Sequence, residues 1–282
     1  FRRVLFRSVY DFYQDNVDMF ATDNNGDPIY NFYVKNRYDQ VFKCLWNNNS
    51  SANNVQVSTI DPYFQPGTYG TNGIFQSSDG YKWKYIFTID SGLKAAFMDD
   101  FWIPLSPGTE ATGAENENVG SGDVEVINVT NGGSGYDPAN AAITVTVTGD
   151  GIGATGTAVV SGGMITDIVV TNTGSNYTFA NVAITSSIGS GATAIAPVSP
   201  IGGHGSDATS ELGAVYSMLV CEFDGSENGN IPTNISYNQI GLLIDPSDYV
   251  SNPNPATGTI YPLSTNLSVS RSEEHTSELQ SH

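Results

Sequence analysis

Alternation of apolar and polar positions is clearest over residues 79–90, DGYKWKYIFTID. Trp83, Tyr85, Phe87 and Ile89 occupy every second position, with Lys82, Lys84, Thr88 and Asp90 between or beside them. A strand sends successive side chains to opposite faces, so the pattern predicts a half-buried strand with those four apolar residues on one face. Asp79-Gly80 supplies the turn that enters it, because Gly tolerates positive φ and Asp bonds its own backbone. Aromatic side chains of this size dominate whatever core they join, so the rest of the non-repetitive chain is expected to fold against this strand. Further strands are expected at 29–34, 40–46, 215–223 and 237–244, and an extended apolar run at 101–105. Spacings near three and four in residues 9–20 predict a weak amphipathic helix. Residues 91–100 predict a short helix capped by Ser91, and Pro104 and Pro107 stop regular structure after it.

The remaining segments are loops and repeats. Residues 23–28 and 47–54 are polar loops, and Pro62, Pro66, Gly67, Gly70 and Gly73 make the chain irregular up to Asp79. Long ordered loops often contact partners, so deleting 47–73 is expected to spare folding and stop assembly. At residue 106 the composition changes to a polar, acidic linker. Residues 127–143 (INVTNGGSGYDPANAAI) then align with 168–184 (IVVTNTGSNYTFANVAI) at an offset of 41. Gly153-Ala154-Thr155 matches Gly191-Ala192-Thr193 at an offset of 38. Each unit reads strand, Gly-rich turn with Tyr, strand, Gly turn, strand. Fixed-period similarity marks repeated supersecondary units, and two copies suggest a small β-sandwich or paired β-module. In residues 200–212 the Gly-rich GGHG crossing precedes a short helical turn capped by Asp207 or Ser210.

Charge and composition narrow the picture. The formal net charge is −19. Residues 1–8 (FRRVLFRS) and 271–282 (RSEEHTSELQSH) resemble a sequencing adapter read as codons in opposite orientations, and are set aside as foreign. The natural protein is then expected to continue past both. Between these ends the only basic residues are Lys35, Arg37, Lys43, Lys82, Lys84 and Lys94. Such a surface repels phosphates and anionic lipid, so no nucleic acid and no membrane partner is expected. No apolar run approaches the length of a membrane span. Cys44 and Cys221 sit in separate apolar runs and read as buried free thiols, which fits assembly in a reducing cytoplasm.

Candidate chemistry is sparse. Residues 151–156 match GxGxxG, but strand-like sequence follows where a dinucleotide site needs a helix N-terminus. His204 is the single histidine between the foreign ends, too few for a triad or a two-His metal site, and is expected to bond Asp207 in a tight turn. Asp99-Asp100 and Glu115/Glu117 read as a solvated acidic surface. Residues 23–27 faintly resemble a calcium loop without its terminal bidentate Glu. No catalytic, cofactor-binding or metal residue is assigned, no cofactor is expected, and the chain reads as not an enzyme. Partner-binding residues stay unassigned.

Residues 41–46 (VFKCLW), 79–89 (DGYKWKYIFTI), 102–104 (WIP) and 238–246 (NQIGLLIDP) resemble, in order, the baseplate wedge proteins of T4-like contractile-tailed phages, the subunit numbered eight. DGYxWxYxF is the most specific element. Residues 202–212 are similar to versions associated with marine T4-like phages. The likeness covers about 30–105 and 201–246; the repeats depart from it as an insertion and resemble Gly/Tyr β-repeats of other phage structural proteins. It implies a homodimer within a hexagonally arranged baseplate, contacts with other wedge proteins, location in the virion after assembly in the host cytoplasm, and no enzymatic activity.

The expected fold is mostly β with minor α (α+β), a main β-rich domain interrupted by an inserted all-β repeat domain. The expected divisions are 1–8 foreign, 9–105 main domain, 106–122 linker, 123–199 inserted repeats, 200–270 main domain again and truncated, and 271–282 foreign. The expected function is a structural virion protein of the baseplate wedge. The alternative is a carbohydrate or cell-surface binding module whose Tyr136 and Tyr177 turns present ring faces to sugar. A β-sheet hydrolase would need two carboxylates facing a cleft.

Overall fold

The computed structural model describes residues 9–24, 28–49, 56–67, 72–98, 103–105 and 122–214, together with the backbone of 216–217 and 241–243. The fold is mostly β with minor α. Four antiparallel strands form the main sheet: β1 (Tyr33–Lys35), β2 (Gln40–Trp46), β3 (Ile74–Gln76) and β4 (Lys82–Thr88), in the order β1-β2-β4-β3. β4 is the strand its alternation predicts, but it is buried on both faces up to Phe87 rather than half-buried.

A bulge also changes which face its side chains take. Val41 pairs with Phe87, but the next residue, Phe42, pairs with Tyr85, so Ile86 is the extra residue. An extra residue reverses the alternation beyond it. Trp83 and Tyr85 therefore join Tyr10, Phe42, Cys44 and Tyr81 in one core. Phe87 and Ile89 join Val41 and Ile86 in another, together with Ile103 and Leu105 and with Ala208, Leu212 and Ala214. The segments before and after the repeats thus share one core. In the first core Tyr81 stacks on Trp83 at 5.5 Å and Tyr10 meets the Trp83 ring edge-on at 5.4 Å.

Two expectations fail here for the same reason: aromatic residues anchor irregular chain to this sheet. Residues 9–20 are not helical. Tyr10 is buried, Asp11 N donates to Asn31 O at 3.0 Å, and Tyr13 N donates to Cys44 O at 2.9 Å, so the segment runs along the sheet. The loop of residues 56–67 is not a detachable arm. Phe64 is buried and stacks on Tyr85 at 4.4 Å, and Asp79 Oδ2 accepts from Thr59 N and Ile60 N at 2.9 and 3.1 Å. Its deletion would open the core instead of sparing it. Helix α1 (Ser91–Phe97) follows β4, capped one residue earlier than expected: the Asp90 carboxylate accepts from Gly92 N and Leu93 N.

β5 (Ile103–Leu105) leads towards the repeats, which fold into six strands: β6 (Asn128–Ser134), β7 (Ile143–Gly149), β8 (Thr155–Ser161), β9 (Met164–Asn172), β10 (Ala180–Ser186) and β11 (Ser190–Ile195). The two units pair with each other. β6 of the first unit pairs with β11 of the second, β7 pairs with β10, and β8 pairs with β9, all antiparallel. Thr144 lies opposite Thr185, and Ile127 bridges Ile168; both pairs are 41 apart in sequence. Equivalent residues meet only on a two-fold axis, so the module has an internal pseudo-two-fold. Val124, Ile127, Val129, Ile165 and Ile168 fill its interior.

The repeat signature residues are exchanged across this axis. The Tyr136 hydroxyl accepts from Ala192 N and the Tyr177 hydroxyl accepts from Ala154 N, each at 3.2 Å. Each tyrosine ring lies against a glycine of the other unit, Tyr136 on Gly189 and Tyr177 on Gly151. The rings are 3% and 4% exposed, so neither presents a face to a ligand, contrary to the sugar-platform expectation. Tyr136→Phe and Tyr177→Phe should each cost about 1–3 kcal/mol, the penalty for a buried amide left without its acceptor. Thermal unfolding checks this, and parent-like melting of both variants would contradict the exchanged packing.

Beyond the module, α2 (Ala208–Glu211) is capped by Asp207, whose carboxylate accepts from Ser210 N at 3.1 Å. β12 (Tyr216–Ser217) and β13 (Gly241–Leu243) complete a sheet of order β12-β13-β5. Leu242 lies opposite Pro104, which is tolerated because β5 is the edge strand. The predicted strands at 215–223 and 237–244 extend beyond these described residues; of the expected linker at 106–122 only Gly122 is described, and both terminal segments lie outside.

Candidate functional site

The most concentrated chemistry of the described residues is a buried ionic junction between β2 and the segments flanking the repeats. Lys43 lies opposite Lys84 on β4 and Tyr33 on β1. Two lysines side by side on one sheet face repel unless each finds its own partner. Lys84 Nζ donates to Asn72 O. Lys43 Nζ donates to Glu211 Oε2 at 2.8 Å and lies 3.0 Å from His204 Nδ1. The other Glu211 oxygen accepts from Gly205 N at 2.6 Å, and Glu125 Oε2 accepts from His204 N at 2.8 Å. The Tyr13 ring covers the amine, its centroid 4.0 Å from Lys43 Nζ, and meets His204 edge-on.

Each participant is placed by local structure. Lys43 sits inside the apolar run of β2 and so must point into a core on either face. Asp207 starts α2, which carries Glu211 one turn later. Gly202, Gly203 and Gly205 all have φ near +86 to +88°, a left-handed conformation that glycine adopts without a Cβ penalty. A Cβ on Gly205 would meet the Lys84 side chain at 3.0 Å, so this loop lies directly on the lysine face of the sheet.

The junction is sealed: the side chains of Lys43, His204 and Glu211 are 1%, 0% and 4% exposed. Burial favours the neutral form of Glu211, but the Lys43 charge outweighs it and holds the carboxyl at about 2. Burial lowers His204, and the neighbouring Lys43 charge lowers it further, so the imidazole is neutral. Burial, then Asp15 and Glu211, push the Tyr13 phenol up to about 12. His204 therefore contacts Lys43 and Glu125, not Asp207 as expected, because Asp207 is committed to capping α2.

A second contact ties the module to the sheet. Lys82 Nζ lies 2.8 Å from Asp167 Oδ1 and donates to Ile127 O at 3.0 Å. Asn128 Nδ2 donates to Leu45 O at 2.9 Å. A cleft of about 350 Å³ runs over this pair, lined by Trp46, Gln76, Asn131, Met164 and Thr166 among others. The chemistry of both groups is cohesive. Lys43 and Lys82, the charges predicted to face solvent or left unassigned, are the points at which distant segments are joined.

A carboxyl depressed from 4.5 to about 2 contributes stability above its unfolded value and loses it as pH falls towards 2. A histidine depressed below 6.5 acts in the same direction from pH 6.5 downward. The urea midpoint should therefore fall continuously below about pH 6.5, and Glu211→Gln should flatten the acid limb. An unchanged acid limb in that variant would contradict the assignment.

Thr155 and Gly156 of the GxGxxG stretch belong to β8, so a strand follows it. Cys44 is a buried free thiol. Cys221, Asp99, Asp100, Glu115, Glu117 and residues 25–27 lie outside the described residues. No helix among the described residues is long and apolar enough to cross a membrane. Lys43 had a readable signal, a charge within an apolar strand; Glu125 and Glu211 had none, since their contacts with His204 and Lys43 close over 79 and 168 residues. No family model, curated protein or solved structure matches the chain.

Proposed function

We propose that the chain is a structural virion protein, a subunit of the baseplate wedge of a contractile-tailed phage that works by protein–protein assembly. The observation that carries this reading is where the phage-like motifs lie. VFKCLW and KWKYIFT are adjacent strands, and the backbone of 241–243 from the later motif pairs with Ile103–Leu105 from the earlier one. Motifs far apart in sequence thus make one framework, which supports the reading. The buried junction at Lys43 makes that framework rigid, which suits a part that must hold its neighbours in fixed register. In this reading the chain dimerises and contacts other wedge subunits.

Purified tailed particles encoding this chain should contain it in the tail fraction, detectable by peptide mass spectrometry and placed at the baseplate by antibody labelling. Particles that lack it while retaining tails would overturn the reading.

A further inference from the structure

Outside the two terminal segments the chain has six Lys and Arg residues. Lys43, Lys82 and Lys84 are buried in the contacts already described. The other three, Lys35, Arg37 and Lys94, gather around the turn between β1 and β2. Lys35 and Lys94 both reach Asp39, at 2.8 and 2.6 Å. Arg37 Nε donates to Asp61 at 2.9 Å, and its guanidinium lies 5.8 Å from the Tyr38 ring centroid. Tyr38 meets Tyr63 edge-on at 4.9 Å.

This end is both exposed and rigid. Tyr38 and Tyr63 are 56% and 43% exposed, and the Arg37 side chain is 64% exposed. Asn36 Oδ1 accepts from Tyr38 N and Gln40 N, Asn36 Nδ2 donates to Pro62 O, and Ile89 N donates to Asp39 O. The turn needs little ordering on binding, so less interaction energy is lost to entropy. Aromatic and Arg side chains held in this way are the residue types that anchor protein interfaces. On a chain of net charge −19, no other described residue is an exposed Lys or Arg.

We propose that this tip, Arg37 and Tyr38 with Tyr63 and Lys94, is the docking surface for an acidic face of a neighbouring subunit. The proposal rests on the assembly reading above and adds the chemistry of the partner. The overall negative field repels an acidic partner from all other sides and leaves this end as the approach. A basic partner would find carboxylates over the rest of the surface and have no cause to select this end. Tyr38 and Tyr63 then supply the apolar contact that charge alone does not.

The test uses assembled particles containing the full chain. A carbodiimide joins an amine to a carboxylate with loss of one water, so treated and digested particles should yield peptides linking Lys94 to an Asp or Glu of another protein. Particles assembled with the charge-reversed chain, Arg37→Glu with Lys94→Glu, should incorporate about tenfold less of it, equivalent to about 1.4 kcal/mol of lost affinity. The charge-conserving chain, Arg37→Lys with Lys94→Arg, should incorporate like the parent. Circular dichroism of each purified chain checks that both fold. If the parent chain is absent from particles, the assembly reading fails and this proposal with it. If the parent is present, but Lys94 links only within its own chain and the charge-reversed chain incorporates normally, docking at this tip is overturned while the assembly reading stands.

Discussion

Lys43→Met should destabilise the protein by about 3–5 kcal/mol, the cost of leaving buried carboxylates without their counter-charge. That is a large share of the roughly 5–15 kcal/mol available to a folded domain. Glu211 pairs with this amine at 2.8 Å, Glu125 accepts from the neighbouring His204 N, and both carboxylates are buried in the folded state. Glu211→Gln should also destabilise, because it strands the buried Lys43 charge, although the amide can still accept from Gly205 N. The double variant Lys43→Met/Glu211→Gln removes both charges and should lose clearly less than the sum of the singles, a coupling of about 1–3 kcal/mol. Urea unfolding at pH 7 measures all three. Additive losses would mean that the two side chains do not act as a pair.

Gly133→Ala and Gly174→Ala should be equally damaging, at about 3 kcal/mol or more each, through strained backbone and overpacking together. The two glycines are equivalent across the repeats and have φ of +61° and +66°. A Cβ on Gly133 would enter the Ser190 carbonyl and come within 2.5 Å of Ala192 N. On Gly174 it would come within 2.5 Å of both Ile152 O and Ala154 N, the matching atoms of the other unit. Those are hydrogen-bonded backbone atoms, in β11 for Gly133 and in the Ile152–Ser175 bridge and the Ala154–Tyr177 contact for Gly174, and cannot easily move aside. Gly162→Ala is the control: its φ is +59°, but nothing lies within 4 Å of the added carbon. It should cost only about 1 kcal/mol, the left-handed penalty alone. If Gly162→Ala proves as harmful as the other two, close approach is not what these glycines provide.

The contrast between what was readable and what was not follows from the range of the forces involved. β2 and β4 were legible because apolar alternation and a turn dipeptide are local. The repeats were legible because self-similarity needs no structure at all. The second buried face of β4 was not, since Lys82 and Lys84 read as solvent-facing until the module and the Gly202–Gly205 loop are placed over them. The bulge at Ile86 depends on register with β2, which no single strand specifies. Residues 9–20 have apolar spacings that suit a helix, but they form an irregular segment with turns at 15–17 and 19–20 that packs against the sheet through Tyr10. Phe64 offered a hint that the long loop is structural, because a large apolar residue in a polar loop needs somewhere to be buried. The ionic junction joins residues as much as 168 positions apart, Lys43 and Glu211, and lies beyond any window of local pattern.

The exchange of tyrosines across the pseudo-two-fold limits how this region can evolve. A single unit on its own would present an unfilled slot and an unhoused ring, and a third unit added to the existing two would find no counterpart. Lengthening or shortening by one repeat is therefore disfavoured, and length variants of this protein should gain or lose the decoration as an indivisible couple.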